Sequence, residues 1–326
     1  MLIFIIINIS FGSVNIPLKA IFNTILNNDT AKETWHSIIF NYRIPKAITA
    51  ILVGSGLAIS GLLMQTLFRN PLAGPYVLGI SSGASLGVAI LLLGASILGG
   101  GFIAFSQSNI ALSIAASLGS FLVLFTVMIV ARNVKNTMTL LIIGLMFSSF
   151  AAAIISVLSY FSSAEMLQQY IFWSFGSLGN LSWNEILIFI IIYILALVLI
   201  LPTIKPLNSL LLGENYAKSL GINFNRTKNL ILISTSLFTG VITAFSGPIA
   251  FIGLATPHIT KLIFNTSNHK VLIPAVAFLG SIFMLISDTI AQLPYSEFTL
   301  PINAITSLFG APIVIWLILR KKKISL

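Results

Sequence analysis

The sequence predicts an all-α polytopic membrane protein with about ten transmembrane helices. Only 7% of the residues are charged and 57% are hydrophobic, whereas a soluble domain carries roughly 25% charged residues. The mean hydropathy is +1.05. Apolar runs of about 20 residues, which suit a hydrocarbon core about 30 Å thick, recur along the chain. The short alternating segments typical of a transmembrane β-barrel are absent from the sequence.

Ten apolar segments are predicted to form the spans, and the first of them is short for a membrane helix. No segment between them is long enough for a soluble domain, so residues 1–326 are predicted to be a single transmembrane domain. The predicted spans are 2–11, 46–68, 76–98, 109–131, 138–160, 186–202, 229–246, 249–264, 271–292 and 302–319.

The basic residues predict the orientation of these spans. An even number of spans puts both termini on one side, and the C-terminal run 320–323 is entirely basic. The positive-inside rule makes that side cytoplasmic, which places 13 of the 17 Lys and Arg residues there. We therefore expect a multi-pass protein of the cytoplasmic (inner) membrane. The net charge of +10 does not indicate nucleic-acid binding, because the basic residues are spread among loops rather than forming a stripe.

The sequence contains no motif that would make this chain an enzyme. It has no Cys, so disulfides and thiolate metal sites are excluded. Its three His residues lie in separate segments, and no Ser/His/Asp arrangement or H-E-x-x-H motif is present. A G-x-x-x-x-G-K-[ST] phosphate-binding loop is also absent. If ATP drives this protein, another chain must bind it.

Small residues repeat at helical spacing around the second and third predicted spans. Gly79, Gly83 and Gly87 are four residues apart and share one helix face, which allows neighbouring backbones to approach closely. Ordinary helix packing and a pathway-lining helix both predict this pattern. The preceding RNPLAGP (69–75) predicts a rigid break, because each Pro disfavours helix at the residue before it.

Two basic residues stand at the outer start of the second predicted span, in YRIPKAI (42–48). Pro45 suits the first turn of a helix. Arg43 and Lys46, however, lie on the side where positive charge is scarce, and cations at a helix N-terminus oppose the helix dipole. Anchoring to lipid headgroups and docking of an acidic partner outside the membrane are the two interpretations.

One acidic residue, Asp288, lies within a predicted span. An acid in hydrocarbon costs about 2.5–3.5 kcal/mol on insertion scales, which makes it a candidate functional group. Proton coupling and a hydrogen bond between helices are the alternatives, and we favour the hydrogen bond. His258, near the inner end of the eighth span, is predicted to be structural.

Five ordered motifs between about residues 36 and 320 resemble the FecCD-type permeases of ATP-binding-cassette importers for iron–siderophores, haem and cobalamin. The match covers nearly the whole chain, and five motifs at the family's spacing make it specific. The motifs are RIPKAITAILVGSGLAISGLLMQTLFRNPLAGPYVLGISSGASLG (43–87), WSFGSLG (173–179), LGENYAKSLGI (212–222), FSGPIAFIGLATPHITKLI (245–263) and PINAITSLFGAPIVIWLI (301–318).

The resemblance implies the type II importer architecture of the cobalamin-importer permease. Two permease subunits, identical or paralogous, would surround a central pathway. Two cytoplasmic ATPase subunits would hold ATP and Mg²⁺, and an extracytoplasmic binding protein would deliver the ligand. Acidic residues of that protein would pair with Arg43 and Lys46. This chain itself would bind no cofactor.

The resemblance also implies that residues 203–228 form a cytoplasmic coupling loop whose short helices sit in a cleft of the ATPase. A small residue on such a solvent-exposed helix would face the cleft. The residues that match the family pattern are Gly213, Glu214, Ala217, Lys218 and Gly221.

Three positions depart from the family pattern at the outer rim. Gln292 stands where relatives often carry Arg, which removes a third docking charge. T-L-P-I-N (299–303) replaces the usual E-L-P-x-G, with Thr299 in place of the acid and Asn303 in place of the glycine.

We therefore expect a permease subunit that moves a bulky iron chelate, an iron–siderophore or haem, into the cytoplasm by alternating access. A cobalamin importer permease and a proton-coupled secondary carrier using Asp288 are the alternatives. The pathway should bind its cargo weakly. Candidate lining residues, all small or weakly polar, are Gln65, Ser81, Ser82 and Ser85.

Overall fold

The computed structural model describes residues 1–12, 14, 16–25, 33–98, 106, 108–133, 137–179, 181–293 and 298–322. Within these ranges the protein is helical and contains no strand. The helices are α1 (Leu2–Ser10), α2 (Leu18–Ile25), α3 (Glu33–Ile38), α4 (Ile44–Leu67), α5 (Ile80–Leu98), α6 (Asn109–Asn133), α7 (Thr137–Phe161), α8 (Ala164–Ser174), α9 (Trp183–Ile200), α10 (Ile204–Leu210), α11 (Glu214–Ser219), α12 (Phe224–Ser246), α13 (Ile252–Phe264), α14 (His269–Ala291) and α15 (Ile302–Lys322).

The predicted all-α membrane fold is confirmed, and each predicted span contains a helix. Six described helical segments are long and apolar enough to cross a membrane: Glu33–Leu67, Asn109–Ala131, Met138–Phe161, Trp183–Leu210, Phe224–Ser246 and His269–Ala291. Others are shorter. The 13 residues of α13 extend about 20 Å at 1.5 Å per residue, which is less than the hydrocarbon thickness. The count of ten spans therefore stays a prediction.

Helix α4 forms the centre of the bundle, and most of its residues are buried. It lies directly against α14, because Gly54 and Gly280 meet where the two helices cross. A Cβ atom placed on Gly54 would lie 2.2 Å from the Gly280 carbonyl oxygen, so only glycine allows this approach. Such small-residue contacts are how helices pack closely within a membrane.

The glycine repeat at the start of α5 also serves helix packing. A Cβ atom on Gly83 would lie 2.6 Å from the Gly119 carbonyl oxygen of α6, and one on Gly87 would lie 2.2 Å from the Ala115 carbonyl oxygen. The packing interpretation of this repeat is confirmed.

Helix α4 is the continuation of an upstream helix rather than the start of a new one. Helix α3, a π-helical turn at Ile39–Arg43 and α4 form one uninterrupted segment. Pro45 lies in the first turn of α4 as predicted, but that turn follows the π-helix. π-Helical turns and prolines are the usual sites of bending in long helices.

The bundle has two ends, which we name after one residue at each. At the Lys46 end, α4 and α9 begin and α14 ends. There the Trp183 indole N–H at the start of α9 donates a hydrogen bond to the Phe40 carbonyl oxygen across 3.1 Å. The opposite, Glu214 end carries α10 and α11. Along the sides, α6, α7 and α9 expose large apolar residues such as Leu118, Phe150 and Ile191.

Candidate functional site

Residues 203–228, predicted from the resemblance to be the coupling loop, fold as the two short helices α10 and α11, followed by the first turn of α12, at the Glu214 end. Helix α11 is bounded by two glycines with positive φ, Gly213 at 114° and Gly221 at 78°. That region of φ favours glycine, which explains why a glycine stands at each boundary. Within α11, Glu214 and Lys218 form an ion pair 2.6 Å long at i,i+4 spacing.

Three large apolar residues of this segment point away from the bundle. Leu212, Tyr216 and Leu220 are 67%, 49% and 57% exposed, and they recur every four residues. We call them the 212–220 stripe. Apolar patches that stay exposed on a protein commonly mark sites of contact with another protein. The stripe is therefore a surface suited to contact with another protein.

Ala217 lies on the opposite side of α11 and is completely buried. Its methyl group packs α11 onto the permease, on the side away from the 212–220 stripe. Gly221 is exposed, and a Cβ atom there would meet no other atom within 4 Å. The coupling assignments of Gly213, Glu214, Ala217, Lys218 and Gly221 stay predictions.

A buried histidine fixes α10 to the rest of the bundle. The Asn208 Oδ1 atom of α10 accepts a hydrogen bond from the His269 backbone N–H at 2.8 Å. The same oxygen also lies 2.8 Å from the His269 Nδ1 atom. On its other side the His269 ring nitrogen Nε2 lies 2.8 Å from the Thr66 hydroxyl at the end of α4. Helices α4, α10 and α14 are thereby joined through one side chain.

At the Lys46 end, Arg43 holds the N-terminal segment. Its guanidinium donates to the carbonyl oxygens of Ile9, at 2.6 Å, and Ser10, at 2.9 Å, and also to that of Val14. The first two carbonyls end α1, where helix carbonyls lack intrahelical partners and attract cations. The Arg43 charge thus stabilises the end of α1. The Arg43 residue is only 8% exposed.

Lys46 forms an ion pair with Asp288 across 3.1 Å. The Asp288 carboxylate also accepts hydrogen bonds from the amide groups of Asn8, at 2.8 Å, and Gln292, at 2.7 Å. Asp288 is nearly fully buried, whereas the Lys46 side chain keeps 22% exposure. The predicted role of Asp288 in hydrogen bonding between helices is confirmed, since α1, α4 and α14 all converge on it.

The docking role of Arg43 and Lys46 stays a prediction. Both residues line a cavity of about 350 Å³ at this end, together with Tyr42, Gln292 and Thr299. Of the two, Lys46 is the more accessible. Sequence reasoning missed Asn8, although a lone Asn within MLIFIIINIS was a visible signal that a polar partner lies nearby.

The four pathway candidates have different surroundings. The Gln65 amide donates to the Leu254 carbonyl oxygen across 3.2 Å, and its own oxygen is buried without a partner among the described residues. Ser81 is buried, and Ser82 and Ser85 are half-buried. Burial raises the pKa of the neighbouring Tyr170, and a hydrogen bond with Ser85 lowers it by less. The role of the four candidates in a translocation pathway stays a prediction.

His258 has a structural contact, as predicted. Its Nε2 atom lies 2.7 Å from the Pro71 carbonyl oxygen, which joins α13 to the break between α4 and α5. No group of three or more His, Cys, Asp or Glu residues that could hold a metal ion is found in the described part of the chain.

Comparison with curated proteins reveals close relatives. The chain is 34% identical over 324 residues to the hemin transport system permease protein HmuU of Yersinia pestis, covering 99% of this chain and 95% of the relative. It is 37% identical over 285 residues to the vitamin B12 import system permease protein BtuC of Klebsiella pneumoniae, covering 87% of this chain and 83% of the relative.

Two solved structures resemble the fold. A metal-chelate-type ABC transporter in an inward-facing conformation superposes with a TM-score of 0.82 at 30% identity, covering 98% of this chain and 96% of that one. PsaBC from Streptococcus pneumoniae superposes with a TM-score of 0.56 at 19% identity, covering 91% of this chain and 95% of that one. This second match is a likeness of fold alone.

The sequence profile of the FecCD transport family matches residues 1–320. Together with the relatives and the helical bundle, this match shows that the chain belongs to the FecCD transport family and is the permease subunit of an ABC importer.

Proposed function

We propose that this permease moves a bulky iron chelate, an iron–siderophore or haem, into the cytoplasm, driven by ATP hydrolysis in partner subunits. The 212–220 stripe carries the proposal. It presents three exposed apolar residues outside the bundle, in a chain whose sequence has no phosphate-binding loop of its own. A surface of this kind suits an ATPase subunit that grips the permease at the Glu214 end.

The proposed assembly contains a second permease copy or paralogue, two ATPase subunits with ATP and Mg²⁺, and an extracytoplasmic binding protein. The connection from Asn208 through His269 to Thr66 supports a mechanical role for the Glu214 end, because movement of α10 would act directly on α4 and α14. The binding protein would meet the Lys46 end, where Lys46 is the most accessible cation of the 350 Å³ cavity.

We place both termini and the Glu214 end in the cytoplasm. The support is the distribution of Lys and Arg, since 13 of 17 fall on that side under the positive-inside rule. The last of the C-terminal basic residues, Lys323, lies outside the described residues.

The choice of an iron chelate rests on the relatives. One is named as a hemin permease and matches 99% of this chain, and the solved structure with 30% identity is described as a metal-chelate transporter. Cobalamin is the second candidate cargo, because the vitamin B12 permeases are similarly related, at 36–37% identity.

A proton-coupled carrier using Asp288 has less support. Its carboxylate already binds Lys46, Asn8 and Gln292. These three contacts give the carboxylate a structural role between helices, which accounts for an acid within the bundle without proton transport.

Reconstitution tests the energy source. The permease would be purified with its ATPase and binding protein, placed in liposomes and supplied with chelate in the presence of ATP. We expect uptake that requires ATP and persists when an ionophore collapses the proton gradient. Uptake that follows the proton gradient and ignores ATP would refute the proposal.

The binding protein identifies the cargo. Absorption spectra of the ligand that it retains on purification distinguish haem, ferric siderophores and cobalamin. We expect haem or a ferric siderophore, and a corrinoid spectrum would select the second candidate.

A further inference from the structure

A deep groove runs along the side of the bundle between α6, α9 and α12. Its volume is about 1010 Å³, larger than the cavity at Arg43 and Lys46. We call it the side groove. From Asn109 to Leu124 it follows α6 over 16 residues, and the 15 steps between them span about 22 Å at 1.5 Å per step. One leaflet of the hydrocarbon core is about 15 Å thick, so the groove is long enough for one acyl chain.

The walls and floor of the side groove suit such a chain. Small residues, Ser117 on α6 and Gly240 on α12, form part of the lining and leave room between the helices. The remaining walls are mainly large apolar side chains, several of them exposed: Ile110, Ile114, Leu118, Phe121, Leu124, Ile188, Ile192, Leu237 and Val241.

The lining is polar at the Lys46 end, where α6 and α9 begin. Ser108 and Asn109 lie on one side, and Ser182, Asn184 and Glu185 on the other. A glycerophospholipid has the same polarity: its headgroup lies at the membrane surface and its chains point inward. The groove is therefore oriented as a lipid of the leaflet at the Lys46 end would need.

A second cavity of about 390 Å³, the end pocket, adjoins this polar end and shares Asn109, Ser113 and Glu185 with the side groove. It is also lined by Ser246. The Ser246 hydroxyl is 98% buried and has no hydrogen-bond partner among the described residues. Buried polar atoms normally have a hydrogen-bond partner, so the Ser246 hydroxyl is available to a polar group that enters the end pocket.

The charge of the site selects the headgroup. Among the described residues that line either cavity, Glu185 is the only one that carries a charge. Its Oε2 atom accepts from the Ser182 N–H at 2.8 Å and from the Ser182 hydroxyl at 2.7 Å, which leaves Oε1 for a ligand. A net anionic headgroup would meet this carboxylate without a neighbouring cation, whereas a primary ammonium would form a charge-assisted hydrogen bond with it.

We propose that the side groove and the end pocket together bind one amine-bearing glycerophospholipid, with its ammonium group on Glu185 and one acyl chain between α6, α9 and α12. The proposal depends only on the chain's residence in a membrane. It is independent of the cargo and of the ATPase, so it stands or falls separately from the proposed function.

Lipid retention tests the headgroup preference. The purified permease would be delipidated and offered phosphatidylethanolamine, phosphatidylglycerol or phosphatidylcholine in mixed micelles, and bound lipid would be counted by native mass spectrometry. We expect one phosphatidylethanolamine to be retained about tenfold more strongly than the other two, since a hydrogen bond to a charged group commonly gives an effect of this size. Phosphatidylcholine is the discriminating comparison, because its quaternary ammonium has no N–H to donate.

Two variants with matched controls locate the lipid. Glu185→Gln should remove the preference, whereas Glu165→Gln, at an exposed acid of α8 that lines neither cavity, should keep it. Ser117→Phe should fill the groove and abolish retention, whereas Leu145→Phe, at an exposed position of α7, should not. Thermal unfolding without added lipid checks that all four variants fold.

Three results would overturn the proposal: equal retention of all three lipids, an unchanged preference in Glu185→Gln, or occupancy of the groove by a second permease copy.

Because the chain has no native Cys, Leu118→Cys provides a single thiol on the groove wall. We expect it to react with a lipid-soluble maleimide and to form no disulfide-linked dimer in membranes. Efficient dimer formation would show that the second copy is the occupant.

Discussion

The two ends of the permease differ in where their ion pairs and their large apolar side chains lie. At the Lys46 end, Arg43, Lys46 and Asp288 are largely buried and satisfy one another or nearby backbone carbonyls. At the Glu214 end, the ion pair is exposed and the 212–220 stripe has its apolar side chains in solvent. Charges at the first end hold the permease together. Apolar residues at the second end lie exposed on the surface of the permease.

The comparison shows that residue type alone does not identify a contact surface. Arg43 is a cation on a side where cations are scarce, yet its guanidinium faces inward to α1. Leu212 and Leu220 are of a type common throughout this hydrophobic chain, yet both are exposed at the Glu214 end.

The largest expected effect is at the 212–220 stripe. Tyr216→Asp with Leu220→Asp should abolish co-purification of the ATPase, because two carboxylates would have to be desolvated without partners at an apolar interface. Pull-down of the ATPase on tagged permease measures this. Asn225→Asp, at an exposed position beyond the stripe, is the control and should retain the ATPase. Undiminished recovery with the double variant would remove the stripe from the interface.

The second effect is on stability at the Lys46 end. Arg43→Met should lower the free energy of unfolding by about 3 kcal/mol, because the carbonyls that end α1 lose a buried, charged donor. Thermal unfolding in detergent and limited proteolysis near residues 10–17 measure the change. Lys19→Gln, at an exposed cation of α2, should have almost no effect. An Arg43 variant as stable as wild type would mean that α1 is held by its apolar contacts alone.

The third effect concerns the competition for Lys46. If a carboxylate of the binding protein uses this cation, Asp288→Asn should strengthen docking about five- to tenfold at low salt, because the internal competitor is gone and surface charges are least screened. Affinity for the binding protein would be measured across a salt series.

The double variant Asp288→Asn with Lys46→Gln is the control for that experiment and should lose the gain. If Asp288→Asn leaves docking unchanged at every salt concentration, Lys46 does not bind the binding protein and its role is purely structural.

The smallest effect is expected at the exposed ion pair of α11. Lys218→Gln should lower stability by only about 0.3–0.5 kcal/mol, as is usual for i,i+4 pairs on a helix surface. Thermal unfolding of the isolated permease measures this. A larger loss would indicate that the contact of Lys218 with the Phe224 ring, 5.6 Å away, also contributes.

Much of the fold could be predicted because apolar run length determines where helices cross a membrane. The second span was expected at 46–68 and α4 is Ile44–Leu67; the sixth was expected at 186–202 and α9 is Trp183–Ile200. The continuity of α3, the π-helical turn and α4 was missed, because the polar residues before Arg43 resemble a loop in composition.

The site was less predictable, since its contacts join residues far apart in sequence. Asp288 could be singled out as a buried acid, but its partners Asn8 and Lys46 lie more than 240 residues away in the chain. The partners of Arg43 are backbone carbonyls, which every residue possesses and no pattern marks. The buried side of α11, where Ala217 lies, could not be predicted because a six-residue helix has too few turns for its buried face to be read from periodicity.

The unbroken segment Glu33–Leu67 has a mechanical consequence. Its 35 residues extend about 52 Å, well beyond a hydrocarbon core of about 30 Å. The α4 part of the segment is packed closely where Gly54 meets Gly280 and again where Gly61 meets Gly253. The π-helical turn beside Pro45 lies before both contacts, and such turns are the usual sites at which long helices bend. A force on the α3 end is therefore expected to bend the segment at this turn rather than to tilt α4 as a whole.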